Sequence, residues 1–120
     1  MRAPLSPTFQ LFHRAILKRQ QVTLTYKGQH REVCPYILGH KDGKETVLVF
    51  QFAGGSARSG SVRGEWRCFY LSQIQNAQVR DGPWYGDAEH RTTQSCVDEV
   101  YIDVNTDVPN QPGRRLRLVE

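Results

Sequence analysis

Residues 15–38, AILKRQQVTLTYKGQHREVCPYIL, contain the change of hydrophobic period that decides the fold. Before this change, apolar side chains recur every three or four residues, which predicts one amphipathic helix over residues 7–20 with Ser6 as its N-cap. After it, apolar and polar residues alternate from Val22 to Tyr26, as in a half-buried β-strand. The sequence therefore predicts a single helix followed at once by β-structure, with no room for a second helix between them.

Short apolar segments separated by turns continue to about residue 80. Lys27-Gly28-Gln29 forms a hairpin connection, and Asp42-Gly43 supplies the positive φ that a second tight turn needs. Pro35 is acceptable in a strand only at an edge or a bulge. The predicted strands span residues 22–26, 30–38, 46–52, 66–71 and 74–79. One helix and about five short strands predict a mainly β fold, an SH3/Sm-like small β-barrel.

Two other segments depart from this pattern. Residues 53–65 are rich in Gly and Ser, which predicts a long, mobile loop between two strands. Beyond Gly82 the pattern weakens, although residues 97–104 alternate and predict an additional edge strand. For 120 residues we expect one domain. The helix and barrel would occupy residues 1–82, and a C-terminal extension packed on the same domain would occupy residues 83–120.

The distribution of charge is uneven around a net charge of +4. Residues 1–31 contain six Lys and Arg and no acid, whereas residues 81–109 contain seven acids and one Arg. This asymmetry suits a basic surface for an anionic partner, or an acidic segment lying against the basic one. A solvated charged surface explains it equally well.

Cysteine and histidine positions give no indication of a metal site. Cys34, Cys68 and Cys96 are odd in number and lack a Cys-x-x-Cys pair, so reduced thiols are expected. The four histidines do not follow a zinc-site spacing, and no nucleophile lies beside a base. We therefore expect no metal, no cofactor and no enzymatic activity. The absence of a signal-like or membrane-spanning apolar run predicts a cytoplasmic protein without membrane contact.

Two motifs carry a resemblance to a known family. The first is Arg31-x-Val33-x-Pro35 with Leu38, and the second comprises Arg67, Phe69, Leu71 and Ile74. Their order and separation resemble the WYL domain over about residues 9–80. Ser72 and Gln73 replace the Asp and second Arg of the family's second motif. Of the Trp-Tyr-Leu triplet that names the family, only Leu48 is present.

The resemblance implies a small bacterial ligand-sensing module. In that family the barrel usually follows a helix-turn-helix domain in a transcriptional regulator, and it is thought to sense nucleotides or single-stranded nucleic acid. The single helix before the first strand leaves no space for a recognition helix here. A standalone sensor, or an adaptor, is therefore the expectation.

The family's basic positions, Arg31 and Arg67, are the centre of the predicted site. Strand alternation places each on the same face as core residues, so both are expected to face one concavity and to suit phosphate. Alternatively, each pairs with a carboxylate such as Glu32, Glu45 or Glu65. Neighbouring aromatic rings would suit base stacking, although strand aromatics are more often core. The predicted binding residues are Tyr26, Arg31, Arg58, Arg63, Arg67, Phe69, Tyr70 and Gln73.

These observations predict a non-enzymatic, ligand-sensing regulatory module that binds nucleotide or single-stranded nucleic acid in transcriptional or defence regulation. Arg58 and Arg63 would reach an anionic ligand from the loop, or the loop is an insertion without a role. The alternative function is a protein–protein interaction adaptor or a self-associating barrel that binds no nucleic acid. Alternating Arg and Leu residues at 115–118 would suit pairing with a partner's sheet edge, and a homo-oligomer is compatible with this alternative.

Overall fold

The computed structural model describes residues 5–54, 64–86 and 95–104. Its elements are α1 (Pro7–Lys18), β1 (Gln21–Tyr26), β2 (Gln29–Lys41), β3 (Lys44–Gly54), β4 (Glu65–Tyr70), a 3-10 turn (Leu71–Gln73), β5 (Ile74–Arg80) and β6 (Glu99–Asp103). One helix and six antiparallel strands confirm the mainly β class. No helix in these residues is long and apolar enough to cross a membrane.

Helix α1 has a sequence-encoded cap at each end. The Ser6 hydroxyl accepts a hydrogen bond from the Phe9 backbone N–H at 3.1 Å, as expected of an N-cap serine. Arg19 adopts the left-handed conformation with φ of 50°, and the Gln20 N–H reaches the Ala15 carbonyl at 2.9 Å. This C-cap ends the helix at Lys18 rather than at the predicted residue 20. Its buried face consists of Phe9, Phe12, Ala15 and Ile16.

The long strand β2 organises the sheet. It has 13 residues and pairs along most of its length with β3. Its other edge pairs with β1 near the beginning of the strand and with β6 near the end. The register with β3 shifts between Pro35 and Ile37, so the proline lies at a bulge. Strands β1 and β6 therefore pair with successive stretches of β2.

The sheet is open between β4 and β5. The strand order is β4-β3-β2-β1-β5, with β6 beside β2, and the described residues show no pairing between β4 and β5. The prediction of a closed SH3/Sm-like barrel is therefore not confirmed. The 3-10 turn joins these two strands in sequence, but β5 turns away to pair with β1. Both outer strands therefore have one unpaired edge within the described part of the chain.

The segments that flank the gap at residues 87–94 pack against β2. The Tyr36 hydroxyl donates a hydrogen bond to the Tyr85 carbonyl at 2.7 Å, and its ring lies 5.3 Å from that of Trp84. Farther along β2, Gly39 faces β6 so closely that a Cβ atom there would lie 1.9 Å from the Glu99 carbonyl oxygen. The chain beyond Arg80 thus adds to the same fold wherever it is described.

A disulfide bond joins Cys68 of β4 to Cys96, three residues before β6. The expectation of reduced thiols is therefore wrong for these two residues. They are 28 residues apart in sequence, and their Cα atoms are brought to 5.6 Å only when the segment at 95–98 lies against the sheet. Cys34 is a buried free thiol, and its burial raises the pKa of the thiol.

Candidate ligand-binding site

A pocket of about 510 Å³ opens beside β4, at the side where the sheet is not closed. Its volume lies within the range of about 300–1,000 Å³ that is common for ligand pockets. Residues from the end of β1, the following turn, β2, β4 and the 3-10 turn line it. They are Tyr26, Lys27, Arg31, Trp66, Arg67, Cys68, Phe69, Tyr70 and Gln73. Three of these are cationic and none is acidic, so the lining favours an anion.

Strand β4 supplies five consecutive lining residues, from Trp66 to Tyr70, because its edge is unpaired on the pocket side. Alternation divides them between the two faces of the strand. Phe69 is buried in the core, whereas the Trp66 ring packs edgewise on Tyr36 and Phe50, with centroids at 4.8 and 5.0 Å. The pocket is thus a cleft along a strand edge.

The side chain of Arg31 is only 7% exposed, yet it has no carboxylate partner among the described residues. Its guanidinium lies between two rings, 5.6 Å from the centroid of Tyr26 and 5.5 Å from that of Phe69. It donates to the side-chain oxygens of Gln51 and Gln29, each at 3.3 Å, and to the Tyr26 carbonyl. Its Nε is buried without a partner. The positive charge is therefore solvated by rings and neutral oxygens.

Arg67 brings a second guanidinium to the same pocket. It forms an ion pair with Glu65 at the exposed edge of β4, while its Nε is buried without a partner. Burial first, and then the positive charge of Arg67, lower the pKa of Arg31. The Arg31 guanidinium nevertheless stays protonated at neutral pH, because arginine does not lose its proton in proteins. An anion bound between them would relieve this repulsion.

The two arginines differ in whether they pair with a carboxylate, which was the alternative to a binding role in the sequence analysis. Arg67 does pair with a carboxylate, and the partner is Glu65, one of the three acids considered from the sequence. Arg31 does not pair with Glu32, which instead contacts Arg80 and His30. The uncompensated charge in the pocket is therefore mainly that of Arg31 and Lys27.

The aromatic residues have different roles. The Tyr26 ring stacks on Phe69, with centroids 4.1 Å apart and an interplanar angle of 27°, and both residues are buried. The Tyr26 hydroxyl accepts a hydrogen bond from the Tyr70 backbone N–H at 3.3 Å, which bridges the open side of the sheet. The Tyr70 residue is itself 36% exposed, with Lys44 Nζ at 5.8 Å from its ring centroid. Tyr26 and Phe69 therefore form the buried wall of the pocket, whereas Tyr70 lines it as a partly exposed residue.

The structure brings six of the eight predicted binding residues to this pocket. Arg58 and Arg63 lie outside the described residues, as do most of the predicted loop and the Arg-Leu alternation at residues 115–118. The other three lining residues, Lys27, Trp66 and Cys68, were not among the predicted binding residues, and Lys27 was interpreted only as part of the hairpin turn. Its position next to Tyr26, at the end of a strand that carries a site residue, was the available signal. Whether any of these residues binds a ligand stays a prediction.

The described residues contain no group of three or more His, Cys, Asp and Glu side chains that could hold a metal ion. In the comparison with known proteins, the family model of the WYL domain matches residues 7–79. No curated protein and no solved structure matches the chain significantly. The matched region runs from α1 into β5, and it therefore includes every residue that lines the pocket.

Proposed function

This chain belongs to the WYL domain family, and we propose that it is a non-enzymatic sensor that binds a nucleotide or single-stranded nucleic acid. WYL domains are generally regulatory, ligand-sensing domains of transcription and defence regulators. The observation that carries the proposal is the convergence of Arg31 and Arg67 on one pocket whose described lining residues include aromatic rings and no acid.

The phosphate group of the ligand would bind between the two guanidinium groups. Guanidinium is planar and presents paired N–H donors that match phosphate oxygens, and such charge-assisted hydrogen bonds are stronger than neutral ones. The Nε atoms of Arg31 and Arg67 are buried, so contact with the phosphate would fall to the terminal N–H groups of the two guanidinium groups. Lys27, at the rim, adds positive charge without fixed geometry. The pocket is thus matched to a compact anion.

The base would stack on Tyr70 and contact Gln73. Any base offers a π-face, so a partly exposed tyrosine gives affinity with little sequence preference. Gln73 is exposed on the 3-10 turn, and its amide both donates and accepts hydrogen bonds. A pocket of about 510 Å³ suits one nucleotide unit, whether free or within a strand. A longer single-stranded nucleic acid would extend along the unpaired edge of β4.

Fluorescence anisotropy with a labelled single-stranded oligonucleotide and with labelled mononucleotides tests the proposal. Each probe is titrated at about 50 mM and about 200 mM salt, because affinity that depends on phosphate falls as salt rises. We expect saturable binding of at least one probe at the lower salt, weakened at the higher. Failure of every probe to bind at low salt would contradict the proposed function.

Self-association is a second candidate function, favoured by the unpaired edges of β4 and β5. Exposed strand edges pair readily with another chain, and Val79 adds an exposed apolar side chain on β5. Light scattering over a range of concentrations distinguishes the candidates. A dimer or larger species would support pairing through these edges, whereas a monomer at all concentrations would leave this candidate without support.

A further inference from the structure

The disulfide between Cys68 and Cys96 connects the wall of the pocket to the segment that precedes β6. Cys68 lies directly between Arg67 and Phe69. Strands β4 and β6 are not neighbours in the sheet, since β4 pairs with β3 and β6 pairs with β2. The bond therefore ties the edge strand of the pocket to a separate part of the fold.

We propose that this disulfide is a redox switch of the pocket, in which the oxidised form fixes β4 for ligand binding and the reduced form releases it. The inference rests on the proposed function, because it concerns regulation of the same site. The sequence predicts a cytoplasmic protein, and a protein in that compartment meets reduced thiol pools. Disulfides in that compartment are mostly transient, catalytic or redox-sensing.

The two ends of the disulfide differ in exposure. Cys68 is exposed on an edge strand, whereas Cys96 is buried. A thiolate must approach a sulfur atom directly in order to exchange with a disulfide, so access favours attack at Cys68. The bond is therefore open to reduction in the folded protein from the side of the pocket strand.

The two ends also differ in the contacts that hold them without the bond. The Lys41 ammonium donates to the Ser95 carbonyl at 2.7 Å, and the Asp98 N–H donates to the His40 carbonyl at 2.9 Å, so both sides of Cys96 are anchored to β2. Strand β4 keeps its ladder with β3 and the hydrogen bond from the Tyr70 N–H to the Tyr26 hydroxyl, but it has no second sheet neighbour within the described residues. Reduction should therefore loosen the unpaired edge of β4 around Cys68 and leave the Cys96 segment docked, ready for the bond to form again.

The reaction is a thiol–disulfide exchange with a dithiol reductant, either a small molecule or a thioredoxin-like protein. Its thiolate attacks Cys68 Sγ, the Sγ–Sγ bond breaks, and the Cys96 thiolate that leaves takes up a proton. The second thiol of the reductant then resolves the mixed disulfide and releases Cys68 as a thiol. Two electrons and two protons pass to the protein, and the reductant becomes a disulfide. Oxidised glutathione can reverse the reaction.

Hydrogen exchange of the full chain, oxidised and after native reduction, tests the switch without any ligand. The Cys68→Ser/Cys96→Ser double variant reproduces the reduced state, and Cys34→Ser is the control because it removes the third cysteine and keeps the disulfide. We expect faster exchange of the β4 amides on reduction and in the double variant, with the amides of α1 unchanged. Cys34→Ser should behave like the parent when oxidised.

Anisotropy with the labelled oligonucleotide then measures the coupling. We expect affinity to fall about fivefold or more on reduction, which is the lower range of allosteric coupling, and to recover on reoxidation. A disulfide that resists reduction until the protein unfolds, unchanged β4 exchange, or equal affinity in the two states would each overturn the switch. If the oxidised protein binds no probe, the proposed function fails, and the exchange experiment still decides whether reduction releases β4.

Discussion

The guanidinium of Arg31 lies 5.5 Å from the ring centroid of Phe69, so a buried cation of β2 rests on a core aromatic of β4. The ring's negative face favours a cation above it, which replaces part of the hydration that burial removes. Arg31 and Phe69 belong to the two different sequence motifs that resemble the family. Their contact joins the two motifs: one supplies the charge and the other supplies the surface that holds it.

Tyr70→Ala should weaken ligand binding without unfolding the protein. The residue is 36% exposed, and loss of one base–aromatic stacking contact costs about 1–3 kcal/mol of binding free energy. Its backbone N–H, which bonds to the Tyr26 hydroxyl, is retained. Tyr85→Ala is the matched control, because Tyr85 is 43% exposed and does not line the pocket. Equal affinity of the two variants for a labelled oligonucleotide would refute a stacking role for Tyr70.

Gly39→Ala should destabilise the fold by about 3 kcal/mol, the upper end of the usual cost of overpacking. A Cβ atom at this position would lie 1.9 Å from the Glu99 carbonyl oxygen and 2.6 Å from a Val97 methyl carbon, so β6 must move away. Gly43→Ala is the control: φ is +80° there but no atom lies within 4 Å, and we expect a cost of about 1 kcal/mol. Urea unfolding measures both variants. Similar losses would mean that β6 is not docked on Gly39.

The free energy of unfolding should fall at acidic pH because Glu32 becomes protonated. The hydrogen bond from Arg80 lowers the pKa of the Glu32 carboxyl in the folded protein. Its stabilisation is therefore present above the unfolded pKa of about 4.3 and is lost as the pH falls through the lower folded pKa. We expect a contribution of about 0.5–1 kcal/mol for this partly exposed pair.

Urea unfolding of the parent and of Arg80→Gln between about pH 6 and pH 3 measures this contribution. The difference in unfolding free energy between the two proteins should shrink as the pH falls. Glu32→Gln is the second control, because it removes the titrating group itself. A difference that is constant over the whole range would show that the ion pair does not set the acid dependence.

The helix and the first five strands were predictable because each is encoded locally. Ser6 caps the helix, the period changes after Gln20, and Asp42-Gly43 turns between β2 and β3. Whether the sheet closes is not encoded by any one segment, because closure requires β4 and β5 to pair. In the described residues β5 pairs only with β1. The number of short strands predicted a barrel, but that number does not determine whether β4 and β5 pair.

The site was predictable as far as alternation and motif resemblance reach. They place Arg31 and Arg67 on inward-facing positions of two strands, and the structure brings both to one pocket. They do not indicate the disulfide, because the pairing of Cys68 with Cys96 depends on the docking of the segment before β6. Nor do they show that Arg31 lacks a carboxylate partner in the described part of the chain. In the structure its guanidinium donates instead to the side-chain oxygens of Gln51 and Gln29.

A side-by-side comparison of Arg67→Gln and Arg80→Gln tests the proposed binding site most directly. Each variant removes one positive charge and one ion pair with a glutamate, but only Arg67 lines the pocket. The dissociation constant of a labelled single-stranded oligonucleotide is measured by anisotropy from about 50 mM to about 200 mM salt.

We predict that Arg67→Gln weakens binding about tenfold or more and lowers the salt slope by about 0.7, the value for one phosphate contact on a single strand. Arg80→Gln should bind within about twofold of the parent, because it changes the net charge without touching the pocket. Equal weakening by the two variants would show that binding follows overall charge alone. Unchanged binding by Arg67→Gln would show that the pocket beside β4 is not the site.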